Sequence, residues 1–458
     1  MKIKILSLAL SLGLGLSGLT ANATDLTDIY RMALENDPQL LRASAERDAA
    51  RSAVDVSRAD WYPQIGFRLG YNYNDSDSTA NVVNPDDPDG EPVTAINGSS
   101  SRTFNRELTL SQEVFNLGTW RATGIVEKQA YQAEVNYLLT RQQLMLRVTD
   151  AYFSILAARD NLEFAQSEKR AIERQLDQTR HRFSVGLTAV TDVHEAQAQY
   201  DQALAREIQA QNSVEIAYEA LREITGRQHQ NVHVLNTELF EPVTPQPESP
   251  RQWVDLAHER NLQLLISRSG LEIADQRIEL ARSGHYPTVS LTASYGNRDV
   301  NYGGGRSYDG LDSSSIGLQL NVPLFSGGRT VASTEEARSD YVAVSQTLEE
   351  NRRAVEREVR SAYLDVVANI STINALEQAV VSADSALNAT QAGFEVGTRT
   401  IVDVLDSTRN LFNARRNLSE ARYGYIQGIL QLQQAAGTIS EDELFAINDA
   451  LRPAPQDD

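Results

Sequence analysis

The sequence contains no cysteine among its 458 residues. Disulfide bonds, thiolate zinc sites, cysteine nucleophiles and a lipidated N-terminal cysteine are therefore excluded. Basic residues are also few, with 42 Lys and Arg against 62 Asp and Glu and a net charge of -20. Because an acidic surface repels phosphate, no nucleic-acid partner is expected. Long apolar runs are missing after residue 20, so any membrane span beyond that point would have to be a β-barrel.

The N-terminal residues have the pattern of an export signal. A basic start, Met1–Lys4, is followed by an apolar run over residues 5–19 and by Ala21-Asn22-Ala23, the small-x-small form that signal peptidase recognises. The alternative, a retained membrane anchor, is disfavoured because the run is too short to span a bilayer comfortably. We predict a signal peptide over residues 1–23, and hence an exported protein.

The remaining sequence repeats itself. Ala151-Tyr152 recurs at residues 362–363, and Phe183-Ser-Val-Gly186 recurs as Phe394-Glu-Val-Gly397, both at an offset of 211. The Tyr-Pro pairs that precede these motifs, at residues 62–63 and 286–287, are 224 positions apart instead, which indicates a loop of different length in the two copies. We therefore predict two structural repeats. The repeats span 24–226 and 251–437, with a connector over 227–250 and a tail over 438–458.

Each predicted repeat has the same four elements. A helix ends at a Tyr-Pro pair, because the residue before proline is pushed out of the helical region. A β-hairpin, a very long helix and, after a Val-Gly break, a further helix follow. The predicted spans are 37–60, 62–115, 119–183 and 189–225 in the first repeat, and 261–284, 286–325, 329–394 and 401–436 in the second.

Apolar and polar residues alternate in the predicted strands. Ile65, Phe67 and Leu69 share one face, for example, and Gly66 and Arg68 the other. An ordinary half-buried sheet would give the same alternation, but strands of about 10–12 residues also match the length of transmembrane β-strands. Aromatic residues at the strand ends nearest the helices favour a membrane interface. They are Trp61, Tyr62, Phe115, Tyr286 and Phe325.

The number of strands indicates how many copies assemble. Four strands per chain cannot enclose an open bore, and their edges need partners. Two copies would give eight strands, too narrow to be hollow, whereas three copies give twelve, an even number within the usual range. The predicted fold class is therefore an α+β membrane protein, in which a trimeric 12-stranded β-barrel takes four strands from each chain.

The helices have the spacing of a coiled coil. Large residues recur every seven positions from Val404 to Leu432, and small residues every seven positions from Ser407 to Ala435. At about 1.5 Å per residue, each very long helix would extend roughly 100 Å. We predict a coiled-coil barrel of α-helices that continues the β-barrel. A soluble helical bundle is the alternative, and it leaves the strand pattern unexplained.

Two acidic residues stand just past the second Val-Gly break. Asp403 and Asp406 are three residues apart and share a helix face, and Asp192 and Glu195 occupy the same places in the first repeat. Carboxylates favour helix N-termini, and Thr400-x-x-Asp403 is close to a capping box, so helix capping alone explains the pattern. In a trimer each carboxylate would instead become one of a ring of three.

Metal ions and cofactors are not expected. His229 and His233 have the i, i+4 spacing of a metal pair, but their Gln/Asn-rich surroundings provide no carboxylate at helical spacing. The segment Asp75–Ser101 is rich in Asp, Asn, Gly and Pro, a composition that could hold calcium but is typical of a solvated outer loop.

Several motifs near the Val-Gly breaks form a recognisable set. They are Arg174-Gln-Leu-Asp-Gln-Thr179, Arg182-Phe-Ser-Val-Gly-Leu187, Thr191-Asp-Val193, Gln199-Tyr-Asp201, Gly397-Thr-Arg-Thr-Ile-Val-Asp-Val-Leu-Asp406 and Asn417-Leu-x-x-Ala-Arg-Tyr423. They resemble the corresponding segments of the TolC-like outer-membrane efflux channels. The similarity runs in register over essentially the whole mature chain, including both repeats and both hairpins.

The resemblance implies a trimeric channel-tunnel in the outer membrane of a Gram-negative bacterium, with most of its mass in the periplasm. Its implied parts are a twelve-stranded β-barrel, a periplasmic α-helical barrel and an equatorial belt that contains the connector and the tail. The implied partners are two further copies of the chain, outer-membrane lipid, a periplasmic adaptor protein and an inner-membrane transporter of the RND, ABC or MFS class. No enzymatic activity is implied.

The resemblance also assigns roles to residues. The selectivity ring of the family falls on Asp403 and Asp406. The contacts that close the channel fall on Gln175, Thr191, Asp192, Gln391, Phe394 and Arg399. Adaptor tips in the family dock near the helix-turn-helix ends, here Val185, Gly186, Val396 and Gly397.

Two of the closing positions depart from the family pattern. Phe394 stands where the family has Tyr, so the hydroxyl that would bond Asp192 is absent, and Gln391 stands where the family has Glu. The expected function is a passive exit duct for efflux pumps and type I secretion, with drugs, bile salts, dyes or proteins as substrates. A general porin with a helical extension and a structural periplasmic coiled-coil protein remain as alternatives.

Overall fold

The structure is a computed structural model that describes residues 24–82, 93–238, 240–303 and 305–453. The predicted signal peptide lies outside the described residues. The chain divides into two compact units, and each is described by itself. One unit, here called the helical unit, comprises Met1–Leu41, Arg141–Glu259 and Arg357–Asp458, and the other, the sheet unit, comprises Arg42–Thr140 and Arg260–Glu356.

The elements follow one another in two similar series. The first series is α1 Leu26–Asn36, α2 Pro38–Ala59, β1 Gln64–Val82, β2 Val93–Phe115, α3 Leu117–Ser184, α4 Val190–Thr225 and β3 Val234–Leu235. The second series is α5 Pro250–Arg260, α6 Leu262–Ser283, β4 Thr288–Tyr302, β5 Ser307–Asn321, α7 Arg329–Glu395, α8 Ile401–Ala436, α9 Glu441–Asp449 and β6 Leu451–Arg452. Each bound of α3, α4, α7 and α8 lies within two residues of the bound predicted from the sequence.

Two short helices, α1 and α5, were absent from the predicted repeats. Each is followed at once by a longer helix, and the polar residue at the break caps that longer helix. The Asp37 carboxylate accepts a hydrogen bond from the backbone N–H of Leu40 at 2.8 Å. Asn261, 224 positions later, accepts one from the backbone N–H of Leu264 at 3.0 Å. The repeat therefore extends to the capping residue that separates its first two helices.

The sheet unit contains one four-stranded antiparallel sheet in the order β1-β2-β4-β5. Two hairpins, β1/β2 and β4/β5, are joined by pairing between β2 and β4, where Leu108 faces Tyr295. Within the described residues, β1 and β5 each pair on one side only. The sheet therefore ends in two free edges, each with a row of unpaired backbone donors and acceptors.

The strands are longer than the predicted 10–12 residues. β1 has 19 residues, β2 has 23, and β4 and β5 have 15 each. Much of the segment Asp75–Ser101, predicted to be a loop, continues the ladder, since Asp75 faces Ser100. Ladder hydrogen bonds join backbone groups, so pairing persists where the apolar alternation has ended. Residues 83–92 lie outside the described residues.

One face of the sheet carries an uncovered apolar surface. On β1, Ile65 and Phe67 are 70% and 66% exposed, and on β5, Ile316 and Leu318 are 80% and 70% exposed. Large contiguous apolar surfaces of this kind are sites of contact with lipid or protein. Among the described residues, no helix is both long and apolar enough to cross a bilayer.

The helical unit has its core along the heptad seams. Ala196, Ala203, Ala210 and Ala217 of α4 are buried at seven-residue intervals. In α8 the large seam residues are buried, except that Leu418 is partly exposed. Small residues at one seam allow neighbouring helices to approach closely. Beyond α8, the predicted tail forms α9 and a two-residue strand, β6, that pairs with β3.

Candidate functional site

The first helical hairpin end, between α3 and α4, is a helix stop built around glycine. Gly186 has φ +78°, a left-handed conformation that residues with a Cβ adopt only under strain. The Leu187 N–H donates to the Arg182 carbonyl at 2.8 Å, and the Gly186 N–H donates to the Phe183 carbonyl at 2.9 Å. These two bonds define a Schellman motif, which satisfies carbonyl groups left open at the end of α3.

The second hairpin end, between α7 and α8, has the same backbone. Gly397 also has φ +78°, and its N–H donates to the Phe394 carbonyl at 3.1 Å. The Thr398 N–H donates to the Gly393 carbonyl at 2.8 Å. Val396, just before the glycine, is 75% exposed. The four residues predicted for adaptor docking, Val185, Gly186, Val396 and Gly397, therefore lie on two exposed tips of equal geometry.

The predicted capping box at the start of α8 is present. The Asp403 carboxylate accepts hydrogen bonds from the Thr400 backbone N–H at 2.8 Å and from the Thr400 hydroxyl at 2.9 Å. The Asp403 N–H donates to the Thr400 hydroxyl at 3.3 Å. The Thr400 donors and the positive charge of Arg399 lower the pKa of Asp403, so the carboxylate stays ionised at neutral pH.

Asp406 has a different local role. Its carboxylate forms an ion pair with Arg409 at 2.6 Å, one turn further along α8. The pair is half-exposed, so its attraction is screened by solvent. Nearby, the Ser407 hydroxyl donates to the Thr390 hydroxyl at 3.3 Å and links α8 to α7. Thus Asp403 serves the helix end, whereas Asp406 is held by its own helix.

The predicted closing residues fall into separate groups within the chain. The Thr188 hydroxyl donates to the Asp192 carboxylate, and Thr191 is exposed. The backbone N–H of Arg399 donates to the Gly393 carbonyl at 3.2 Å. Within one chain, the described residues show no hydrogen bond or ion pair between Arg399 and Asp192.

Gln175, Gln391 and Phe394 lie together. They line a groove of about 450 Å³ between α3, α7 and α8. Phe394 is buried in an apolar cluster with residues of all four helices. The Nε2 atom of Gln175 is buried and has no hydrogen-bond partner in the described part of the chain. The side-chain amide of Gln391 thus lines the same groove as Gln175 without bonding to it.

Four residues of this region were missed from the sequence. The guanidinium carbon of Arg182 lies 4.6 Å from the centroid of the Phe394 ring, and Gly393 makes room for Arg399. Thr390 and Ser407 form the link described above. Only the repeat could have indicated two of them. Arg182 and Gly393 are equivalent positions at the offset of 211, and the difference between arginine and glycine marks a place where the two hairpin ends are not alike.

Two carboxylates, one buried and one partly buried, link the same helices further from the tips. The Glu168 side chain of α3 is 1% exposed and pairs with Arg206 of α4 at 2.8 Å. The Asp160 carboxylate, also on α3, accepts a hydrogen bond from the Tyr423 hydroxyl of α8 at 2.7 Å. A buried charge is tolerated only when its partners are in place, so the Glu168 pair fixes the packing of α3 against α4, and the Asp160 hydrogen bond joins α3 to α8.

The two histidines of the connector do not form a pair. The Thr225 hydroxyl lies 2.9 Å from Nε2 of His229, which is buried, and the His233 carbonyl accepts from the Tyr152 hydroxyl at 2.9 Å. Burial, together with the charge of Arg227, lowers the pKa of His229. Across the described ranges, no three potential metal-binding side chains of His, Cys, Asp or Glu gather in one place.

Comparison with known families decides the identity of the fold. The family described as "Outer membrane efflux protein" matches residues 29–227 and 253–438. The chain belongs to the outer membrane efflux protein family. Its members are transport channels of the outer membrane, and the chain is accordingly an outer-membrane efflux channel.

Relatives within the family are similar over nearly their whole length. The chain is 44% identical to the outer membrane protein TolC of Vibrio cholerae, over 98% of this chain and 99% of the relative. It is 39% identical to TolC of Escherichia coli K12, over 97% and 89%. It is also 29% identical to the proteases secretion protein PrtF of Dickeya chrysanthemi, over 97% and 95%.

Solved structures share the fold of this efflux protein at lower identity. The channel-forming protein CusC superposes with a TM-score of 0.75 at 18% identity, over 91% of this chain and 92% of the other. The outer membrane protein VceC of Vibrio cholerae gives a TM-score of 0.71 at 21% identity, over 90% and 96%. At these identities the likeness establishes the fold alone.

Proposed function

We propose that three copies of this efflux channel form a passive exit duct that serves efflux pumps and type I secretion. The observation that supports a trimer most directly is the four-stranded sheet with free edges at β1 and β5 and an uncovered apolar face. A sheet edge in lipid has no water to satisfy its backbone groups, so it must pair with another chain. Three sheets would close a ring of twelve strands with its apolar face toward lipid.

The helices of three copies would form a coiled-coil barrel that leads from the periplasm to the β-barrel. Energy for transport would come from an inner-membrane transporter of the RND, ABC or MFS class, joined to the duct by a periplasmic adaptor. The exposed tips around Gly186 and Gly397 suit adaptor docking, because glycine leaves the backbone open to close approach. The relative PrtF is a proteases secretion protein, which supports secreted proteins as cargo beside drugs, bile salts and dyes.

The narrow periplasmic end would be closed by contacts around Arg399 and opened by the pump. In a trimer, Asp403 and Asp406 would contribute six carboxylates around one axis. A narrow mouth with such a ring focuses the field, favours cations and binds multivalent cations.

Genetic rescue distinguishes a pump-coupled duct from a porin or a structural coiled-coil protein. Deletion should lower resistance to drugs and bile salts, and the gene should restore resistance only in cells that contain an inner-membrane pump. Rescue without a pump would identify a general porin. The purified mature protein, expected to begin at Thr24, should be a detergent-dependent trimer by light scattering. A monomer that stays soluble without detergent would refute the barrel.

A further inference from the structure

We propose that Arg182 is a positioning residue of the gate, which holds the end of α3 against the end of α7 by stacking its guanidinium on the ring of Phe394. The proposal rests on the proposed function, since it presumes that these helix ends separate when the duct opens. Its physical basis is a cation–π contact between two helices that are distant in sequence.

The contact has the geometry that such an interaction requires. The guanidinium carbon of Arg182 lies 4.6 Å from the centroid of the Phe394 ring, well inside the limit of about 6 Å. The Phe394 side chain is only 9% exposed and packs among Ile172, Leu176 and Ile401. A ring fixed in this way presents one face to the guanidinium, and the low local dielectric strengthens the attraction.

Arg182 has no competing attachment in the part of the chain that the structure describes. No carboxylate lies within 4.0 Å of its guanidinium nitrogens, and its Nε atom is buried without a hydrogen-bond partner. Arg180, two residues earlier, is by contrast paired with Asp177 and with Gln197. A guanidinium that is partly desolvated and has no anion is stabilised chiefly by the aromatic face beneath it.

The repeat shows that this contact belongs to one hairpin end only. Phe183 and Phe394 are equivalent at the offset of 211, yet Phe183 is 44% exposed. The position equivalent to Arg182 is Gly393, and a Cβ atom there would stand 2.8 Å from Cγ of Arg399. Arg182 therefore stands before the turn of its hairpin, whereas Arg399 stands after the turn of its own.

This asymmetry gives the two arginines different tasks. The stem of Arg399 lies against its own hairpin at Gly393, and in the proposed trimer its head group would reach another copy. Arg182 instead reaches across to the second hairpin of the same chain. Because Phe394 has no hydroxyl to donate to a carboxylate, the aromatic face is the part of this side chain that can hold α3 to α7. Loss of the contact should therefore favour the open state.

Planar-bilayer recordings of the purified full-length mature protein test the proposal. Arg182→Gln and Phe394→Leu should each raise the ratio of open to closed channels about five-fold, the scale expected for one cation–π contact. Arg182→Lys should open to an intermediate extent, because it keeps the positive charge but loses the planar group that stacks on the ring. The double variant should open no more than either single variant, since both remove the same contact.

Fluorinated phenylalanine separates the aromatic quadrupole from packing. Mono-, di- and trifluorophenylalanine at position 394 weaken the negative ring face in steps with little change in volume, so open probability should rise in steps. The same series at Phe183 is the matched control and should have no effect. Equal gating across the series at position 394 would overturn the proposal.

A second measurement does not depend on conduction. The detergent-solubilised protein is unfolded with urea for the parent, Arg182→Gln, Phe394→Leu and the double variant. A non-additive effect of the two substitutions supports the contact, and full additivity overturns it. A parent protein that conducts no ions in bilayers would instead refute the proposed duct, so the two failures are distinguishable.

Discussion

Cγ of Arg399 lies 2.8 Å from the point where a Cβ atom on Gly393 would stand. The arginine stem thus packs on the bare backbone of α7. Gly393→Ala would force the Arg399 stem away, although alanine is otherwise the better helix former. We expect this variant to show raised conductance in planar bilayers, because a displaced Arg399 cannot hold the closed state.

The matched control for that substitution is Gly424→Ala in α8. An added Cβ at Gly424 meets nothing within 4 Å, so this variant should gain helix propensity and keep the parent conductance. Equal conductance in the parent and Gly393→Ala would show that the Arg399 stem tolerates displacement, and the link between its packing and closure would be lost.

Removal of the arginine itself should have the same direction of effect. Arg399→Ser should raise conductance, because it loosens the closed state and leaves the carboxylates of Asp403 and Asp406 in place. The same substitution can be made in a Phe394→Tyr background. We expect Arg399→Ser to raise conductance less in the parent than in that background. The reason is that the added hydroxyl of Phe394→Tyr would strengthen the closed state, so more of it could be lost. Single-channel recordings of all four proteins measure both differences.

Substitution of the glycines at the two tips should have two separate effects, backbone strain and obstruction of the adaptor. Gly186→Ala and Gly397→Ala place a Cβ at φ +78°, which costs about 1–2 kcal/mol of stability. No atom stands within 4 Å of either added Cβ, so space is not the problem within the chain. Replacement by Trp should additionally abolish drug resistance while trimers persist, because the bulky ring obstructs the adaptor.

Drug-susceptibility assays and size-exclusion chromatography in detergent follow both properties. The alanine variants serve as the control for backbone strain without bulk. Full resistance in both tryptophan variants would contradict adaptor docking at these tips. Loss of trimers in the alanine variants would instead indicate that the turn matters for assembly.

Acid should destabilise the protein through His229. Burial lowers the pKa of His229 below its ordinary 6.5, so the unfolded chain takes up a proton at this residue more readily than the folded chain. The free energy of unfolding should therefore fall as the pH drops below about 6.5 towards the folded pKa. His229→Gln, which can still bond the Thr225 hydroxyl, should show a shallower decline.

Urea unfolding at about pH 7.5 and about pH 5.5, on either side of the usual histidine pKa, measures that difference. His194→Gln, at an exposed histidine, is the matched control for the substitution itself. An identical decline in the parent and His229→Gln would assign the acid sensitivity to other groups.

The course of the long helices was predictable because their ends have local causes. Gly186 and Gly397 stop α3 and α7 through a backbone conformation that glycine favours, and Thr400 and Asp403 start α8 through side-chain hydrogen bonds three residues apart. Such signals involve neighbours in sequence. The strand lengths were wrong because ladder pairing depends on a partner strand, and Asp75 gives no sign that Ser100 will face it.

The candidate site was less accessible to sequence reasoning for the same reason. The ion pair between Asp406 and Arg409 follows from their spacing on one helix and could have been predicted. The stacking of Arg182 on Phe394 joins residues 212 positions apart and depends on how four helices pack. The cap at Asp403 was predicted correctly, but a cap and a pore ring use the same carboxylate, so the sequence alone could not separate them.

The central claim is that Asp403 and Asp406 form a charged ring at the mouth of a conducting duct. Asp403→Asn/Asp406→Asn tests it most directly, because asparagine can still cap the helix while the charge is removed. The measurement is the reversal potential of purified trimers in planar bilayers under a potassium chloride gradient, with and without a trivalent metal complex. The parent should prefer cations and be blocked by the complex, whereas the double variant should lose most of both properties. A double variant that kept its cation selectivity and its block would show that these carboxylates only cap and brace α8.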